Sequence, residues 1–360
     1  MSEAAPCPPA APPGGLDRLR REVLDQGLCV ACGACLGLCP HLVFFDGQVA
    51  APDVCGLASG RCYDLCPQAQ APGPEARREA LRQAAETDWS EALGPVRAAH
   101  WARAADPSLR QRAQYGGVAT TLAALALETG LVREMILTQA GETGAPEGAR
   151  AADREGVLAA AGSVYAAGGA LMQLNQALAE DAHHPLGLVG LPCQAAAAAS
   201  LRGHPEYPGR ERLALVIGLF CTLNLSVRAM RRVLEAAGVA EPPLRADFPP
   251  PPAGVLSVTT RRGSQDIPLD QVRPAVLAGC ALCPDLTAEA ADIAVGAAEG
   301  EPGWNTVLVR TQAGAGLWAA ALERGLVETR PAPEAAWSHL RGAAEAKRGR
   351  GLRARKERQA

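Results

Sequence analysis

Apolar residues recur along this chain in two rhythms, one helical and one extended. Residues 16–26 (LDRLRREVLDQ) space their apolar positions as a short amphipathic helix. Val118, Leu122 and Leu125 fall on one helical face, and Thr129-Gly130 supplies the stop signal. Residues 131–138 follow as a strand. Residues 186–191 and 213–220 are short unbroken apolar runs of buried-strand length. The Ala-rich residues 194–202 between them read as a helix, so the three form a strand–helix–strand unit with parallel strands. Residues 255–260, 292–295 and 306–310 read as further strands, and 317–324 as a helix.

Between the rhythmic stretches lie the breaks. Residues 74–88 are charged and helix-forming but lack a clear apolar face, which suits a linker. The run Phe248-Pro249-Pro250-Pro251-Pro252 interrupts regular structure and marks a hinge. The basic end, residues 347–358, reads as a solvated or frayed terminal helix, with a docking tail for an acidic partner as the alternative. The fold expected is α/β (α+β overall). A small cysteine-rich module at residues 29–67 is expected ahead of a mixed, partly parallel sheet body with flanking helices.

Composition narrows the class. A length of 360 residues fits two or three domains. Lys+Arg of 35 against Asp+Glu of 38 leaves a net charge of -3, with no general attraction to nucleic acid or anionic lipid. The N-terminal residues (MSEAAPCPPAAPPGG) have no basic region followed by an apolar one, so a flexible tail is expected rather than a signal peptide. The charge-free residues 156–179 are mostly Ala and Gly and too weakly apolar for a membrane span. A soluble protein of the reducing cytoplasm is expected.

The twelve cysteines carry the chemistry. A disulfide framework belongs to small secreted domains, so metal ligation is the better reading. Cys29, Cys32, Cys35 and Cys39-Pro40 form CxxCxxCxxxCP. Three thiolates three residues apart on a Gly-containing loop can surround one 4Fe–4S cubane, while the fourth points to a neighbouring cluster. Zinc sites use separated CxxC pairs instead. Cys55, Cys62 and Cys66-Pro67 follow, and Cys66 is expected to complete the set of Cys29, Cys32 and Cys35.

Cys39, Cys55 and Cys62 then remain, one thiolate short, with Ser59 standing three residues before Cys62. A three-iron cluster, a four-iron cluster with a non-cysteine ligand, and no second cluster there all stay open. Cys193 and Cys221 each follow an apolar strand, so both emerge at the carboxyl edge of one parallel sheet. Cys280 and Cys283 form a CxxC able to close over that edge. These four make a further 4Fe–4S site. Cys7 stands alone in the tail.

Gly116-Gly117 opening a helix offers close backbone approach and exposed N–H groups to an anionic cofactor, and Arg112 lies just upstream. No Ser/His/Asp arrangement is present, and His183-His184 reads as a solvated loop pair.

Several motifs occur in a familiar order: Gln114 to Thr121, Gly162-Ser163-Val-Tyr165, Val189 to Gln194, and Ile217 to Cys221. Cys280 to Asp285, Ala291 to Gly296, and Gly303-Trp304-Asn-Thr306 with Arg310-Thr311 complete it. Over residues 25–330 the chain resembles the coenzyme F-420 hydrogenase/dehydrogenase beta-subunit family, which also includes chlorophyll-pathway reductases. Tyr115 departs from the family pattern, as does the contracted second half of the ferredoxin motif.

The resemblance implies FAD and two 4Fe–4S clusters, or three if Cys39, Cys55 and Cys62 hold one. It implies flavin contacts from Arg112, Gly116, Gly117, Thr120, Ser163, Asp292 and Gly296. The expected activity is an oxidoreductase passing electrons between a hydride-carrying substrate, such as a deazaflavin, and a redox partner protein or other subunits. No catalytic side chain is singled out, because a flavin needs positioning more than an acid or base. The alternative is an electron-wiring subunit without flavin. The expected division is a tail and short helix (1–24), a ferredoxin-like module (25–70) and a linker helix (71–95). Two beta-subunit regions (96–240 and 241–330) and a basic tail (331–360) follow.

Overall fold

The computed structural model describes residues 15–57, 59–142, 144–249 and 253–359. Cys7, most of the tail and the centre of the proline run lie outside the described residues. Eight strands build the central sheet: β1 (Ala98–Ala104), β2 (Glu134–Ala140), β3 (Pro146–Ala151), β4 (Leu186–Gly190), β5 (Leu213–Leu219), β6 (Ile293–Ala297), β7 (Asn305–Val309) and β8 (Val327–Arg330). Their spatial order is β8-β1-β7-β6-β5-β4-β2-β3. The inner strands β2, β4, β5 and β6 run parallel, and antiparallel pairs flank them on both sides. The fold is thus mixed α/β, with the expected parallel pair of apolar runs at its centre.

Both faces of the sheet are covered, which is why its inner strands are almost wholly apolar. Alternate residues point to opposite faces. Leu215, Ile217, Ile293, Val295, Val307 and Val309 pack with helices α1 (Val118–Glu128) and α4 (Gln312–Glu323). Leu186, Leu188, Val216, Ala294 and Leu308 pack against the other layer. That layer holds α2 (Leu171–Ala179), α3 (Pro192–Gly203) and the start of α5 (Glu334–Gln359).

Strand β2 begins later than its apolar run because Val132 still bonds back to Ala126 across the turn at Gly130 (φ 72°). Three sheet strands carry weak sequence signals. The sequence of β1 (AAHWARA) has little β-branched character, yet β7 and β8 pair with it on both sides. Tertiary pairing overrides local propensity there.

The cysteine-rich region packs on the helical layer. Buried Leu16, Leu19, Val23, Leu28, Leu36 and Tyr63 form its small core. Its first loop is fastened to the body by α2. The Leu171 N–H donates to the Cys32 carbonyl (3.2 Å), and the buried Asn175 amide donates to the carbonyls of Ala34 (2.9 Å) and Leu36 (2.6 Å). Gly33 (φ 89°) sits so close that a Cβ there would lie 2.3 Å from the Gly169 carbonyl oxygen. Only glycine fits that position.

The C-terminus departs from the sequence expectation. Helix α5 is ordered through residue 359 and lies along the molecule, with Ala344 and Lys347 buried.

Asp292 has a structural place rather than a cofactor one. Its carboxylate is 4% exposed and accepts from the Val216 N–H (2.7 Å), Arg202 (2.9 Å) and the Thr311 hydroxyl (2.8 Å). It thereby ties β5, α3 and the start of α4 together. Asp292→Ala leaves a buried donor and a guanidinium without their acceptor. The expected loss is about 3 kcal/mol in urea denaturation; unchanged stability would contradict this role.

Candidate redox site

Eleven cysteines fall among the described residues, and none is in a disulfide. They form three sets, and in each at least one buried thiol is raised in pKa by burial and by its neighbours. In the first, burial pushes Cys32 and Cys35 well up, and Cys66 with Cys29 adds to the effect at each. Burial is also the main cause that pushes Cys66 up to about 11. Cys29, Cys32, Cys35 and Cys66 together line one small enclosed cavity with Leu19, Val23 and Val49. In the second set, burial raises Cys62 to about 12, with Cys39 and Cys55 as like-charged neighbours.

The third set is assembled from the sheet edge. Cys193 is the second residue of α3, immediately beyond β4, and Cys221 follows β5 by two residues. Cys280 and Cys283 lie in and just after the short helical turn Ala278–Leu282. Burial pushes the Cys193 thiol far up, with Cys32, Cys221, Cys283 and Cys280 as contributors. Cys221 is raised to about 12, against an opposing pull from the Lys347 ammonium. The sets also lie within electrostatic reach of one another in series: Cys32 acts on Cys193, and Cys62 on Cys35.

The donor chemistry fits iron–sulfur clusters. Soft thiols in unpaired groups of four are the donor set such clusters take. Among the described residues, no three His, Cys, Asp or Glu side chains are gathered tightly enough for a single metal ion.

Beside the third set opens a cleft of about 1310 Å³. That exceeds the 300–1,000 Å³ typical of small-ligand pockets, so it has room for a large cofactor. Cys32, Cys193 and Cys221 all line it. Of the residues expected around a flavin, Gly117, Thr120, Ser163 and Gly296 line the cleft, while Arg112, Gly116 and Asp292 do not. Arg112 is exposed to solvent. Gly116 lies behind the wall, its carbonyl accepting from Ala104 (2.7 Å), where a Cβ would meet Asn305 Oδ1 at 2.6 Å.

The cleft wall fits an anionic, hydrogen-bonding cofactor. Residues Gly117, Val118, Ala119 and Thr120 bring the N-terminal turn of α1 to it, and Gly117 adopts φ 78° to start that helix. The side-chain oxygen and nitrogen of Gln114 are both buried at this wall without a hydrogen-bond partner. Buried amides seldom stay unsatisfied, so Gln114 suits a ligand's carbonyls and ring N–H groups.

Sequence reasoning gave several cleft residues no role, and Arg245 and Asp247 it did not name at all. The Tyr115 hydroxyl donates to Asp247 (3.2 Å), and Phe248 packs edge-on to Tyr165 at 4.8 Å. Burial raises the phenol pKa of Tyr165 to about 12 and that of Tyr115 higher still. Arg245, whose guanidinium donates to the Gln114 carbonyl (2.9 Å), lies on the same wall. These residues come from distant segments, and no spacing in the sequence marks them as partners. His183 is exposed, and His184 stands 3.7 Å from Glu134, away from the cleft.

A parallel sheet edge bearing grouped thiols beside a cofactor-sized cleft is an arrangement suited to redox chemistry. Comparison with known proteins agrees. Residues 99–175 match the family model for the N-terminal part of the coenzyme F420 hydrogenase/dehydrogenase beta subunit, and residues 184–335 match the model for its C-terminal part. The chain belongs to the coenzyme F420 hydrogenase/dehydrogenase beta-subunit family and is an oxidoreductase of that type.

Among its relatives is the coenzyme F420 hydrogenase subunit beta of Methanothermobacter thermautotrophicus, 29% identical over 67% of this chain and 87% of that protein. The corresponding subunit of Methanococcus voltae is 30% identical over 66% and 85%. A chain of the F420-reducing NiFe hydrogenase complex from Methanosarcina barkeri is similar in structure, with a TM-score of 0.68 and 27% identity. That similarity covers 76% of this chain and 95% of the other. No helix among the described residues is long and apolar enough to cross a membrane.

The raised thiol values set a pH dependence for the metal-free chain. Between the ordinary thiol pKa of 9.0 and the raised native values, the folded chain holds more protons than the unfolded one. The stability these thiols contribute is therefore fully present just below pH 9 and is lost as pH rises from 9 towards 12. Thermal unfolding of metal-free protein across that range checks this; a melting temperature that does not fall would contradict it.

Proposed function

We propose that this chain is an iron–sulfur flavoprotein subunit that takes electrons from a hydride-carrying substrate and delivers them to a redox partner, or runs the reverse. Cys193, Cys221, Cys280 and Cys283 would hold one 4Fe–4S cluster, and Cys29, Cys32, Cys35 and Cys66 another. Cys39, Cys55 and Cys62 would contribute to a third. The cleft wall of Gln114, Gly117, Thr120, Ser163 and Gly296 would hold FAD. When bound, a flavin accepts a hydride as two electrons and releases them singly, which one-electron clusters can carry.

One observation carries this reading. Cys32 and Cys193, from different sets, both line the same cleft, so a cofactor seated there lies against two sets at once. Cys62 then continues the series towards Cys39 and Cys55, which are only partly buried. The chain's residues bind and orient. Gln114 offers its unsatisfied amide, α1 offers its N-terminal N–H groups, and Phe248 packs against the Tyr165 ring that also lines the cleft. The coenzyme named in the relatives' activities supports a deazaflavin as the substrate class.

Protein purified without oxygen is expected to carry about eight irons or more, with matching sulfide, and about one FAD per chain. Cys193→Ser should remove about four of those irons and leave the rest. Iron without flavin, even after FAD is offered, would reduce the chain to an electron-wiring role. Zinc in place of iron would overturn the proposal.

A further inference from the structure

The C-terminal helix α5 meets the third thiol set through one face. Lys347, Gly351 and Arg355 are spaced four residues apart and so lie one above another on that face. The Lys347 ammonium donates to the Cys221 carbonyl. Gly351 lies so close to the CxxC turn that a Cβ would sit 2.8 Å from the Cys283 carbonyl oxygen. The Arg355 guanidinium donates to the Leu282 carbonyl (2.9 Å) and to the Gln68 side chain (2.9 Å). The register of the helix is thus fixed at three points around Cys221, Leu282 and Cys283.

Lys347 is the odd residue among these. It is 5% exposed, and among the described residues no carboxylate lies within ion-pair distance of it. Its neighbour Arg348, by contrast, pairs with Glu289. Asp285, the nearest acid in the turn, spends its two oxygens on the N–H groups of Thr287 and Glu289 (both 2.9 Å). A buried ammonium held only by one carbonyl is strongly disfavoured unless something negative faces it. What faces it is the thiol set, through Cys221, Cys280 and Cys283. Lysine also suits the task as a compact point charge on a flexible stem.

We infer that Lys347 is the built-in counter-charge of the Cys193, Cys221, Cys280 and Cys283 site, and that it raises the reduction potential of the cluster held there. The inference rests on the function proposed above. A cation beside a cluster favours its reduced form, which carries one more negative charge, and burial prevents solvent from screening the effect. The carbonyl contact to Cys221 keeps the charge on this set, so the sets at the N-terminal end feel it less.

The test is a redox titration, followed by electron paramagnetic resonance, of the full chain purified without oxygen. It compares the native protein with Lys347→Gln, Lys347→Met and Lys347→Arg. The two neutral variants should lower the midpoint of one cluster signal and leave any others in place, and Lys347→Arg should keep it near the native value. If the neutral variants instead lose the irons of that set alone while Lys347→Arg retains them, the site needs the charge to assemble, and the inference stands. An unmoved midpoint in Lys347→Gln, equal shifts of every signal, or loss of those irons in all three variants would overturn it. Native protein without iron would sink the proposed function together with this inference, whereas iron with an unmoved midpoint sinks this inference alone.

Discussion

Buried thiols are the constraint around which this molecule is organised. Cys32, Cys35, Cys62 and Cys66 are buried, and every member of the sheet-edge set is raised above the ordinary thiol pKa. Burial opposes the charged form that binds metal, and each neighbouring thiolate opposes it further. Metal binding reverses this balance by displacing the protons, so affinity and fold become linked. Much of the surrounding structure keeps these groups in register: Asn175 on the first loop, Gln68 bonded to the Gly279 carbonyl (3.0 Å), and the α5 face against the CxxC turn.

The sheet provides the other half of the design. Parallel strands deliver their carboxyl ends to one edge, so β4 and β5 bring Cys193 and Cys221 to the same mouth although 27 intervening residues separate them. Helix α1, opening beside β1 and β7, turns its N-terminus to that same cleft. The Asn305 side chain braces this junction, accepting from the Val118 N–H (3.2 Å) and donating to the Gly296 carbonyl (2.9 Å). Chemistry borne on loops is thereby held by a rigid, doubly covered sheet.

Local patterns announced the parts of this arrangement that depend on local chemistry. The apolar runs of β4 and β5 need no partner to be recognised, and CxxCxxCxxxCP marks a site of grouped thiols by spacing alone. Asp292 misled because a motif position says nothing of which way a carboxylate points; its oxygens are taken by Val216, Arg202 and Thr311. Gln114, Tyr115, Arg245 and Asp247 meet only through tertiary packing. The final helix misled for another reason. Its charges suggested solvent, but Trp337, Leu340, Ala344, Lys347, Gly351 and Ala354 recur at alternating intervals of three and four. That is the spacing of a buried stripe, disguised by small residues and one lysine.

The account's central claim is that the three thiol sets form one electron path beginning at the cleft. Anomalous X-ray diffraction at the iron edge, on crystals grown without oxygen, tests it most directly. The account predicts iron within the Cys193, Cys221, Cys280 and Cys283 set and within the Cys29, Cys32, Cys35 and Cys66 set. It also predicts flavin density against Gln114 and the α1 N-terminus. Iron absent from the sheet-edge set, or flavin bound away from that cleft, would contradict it.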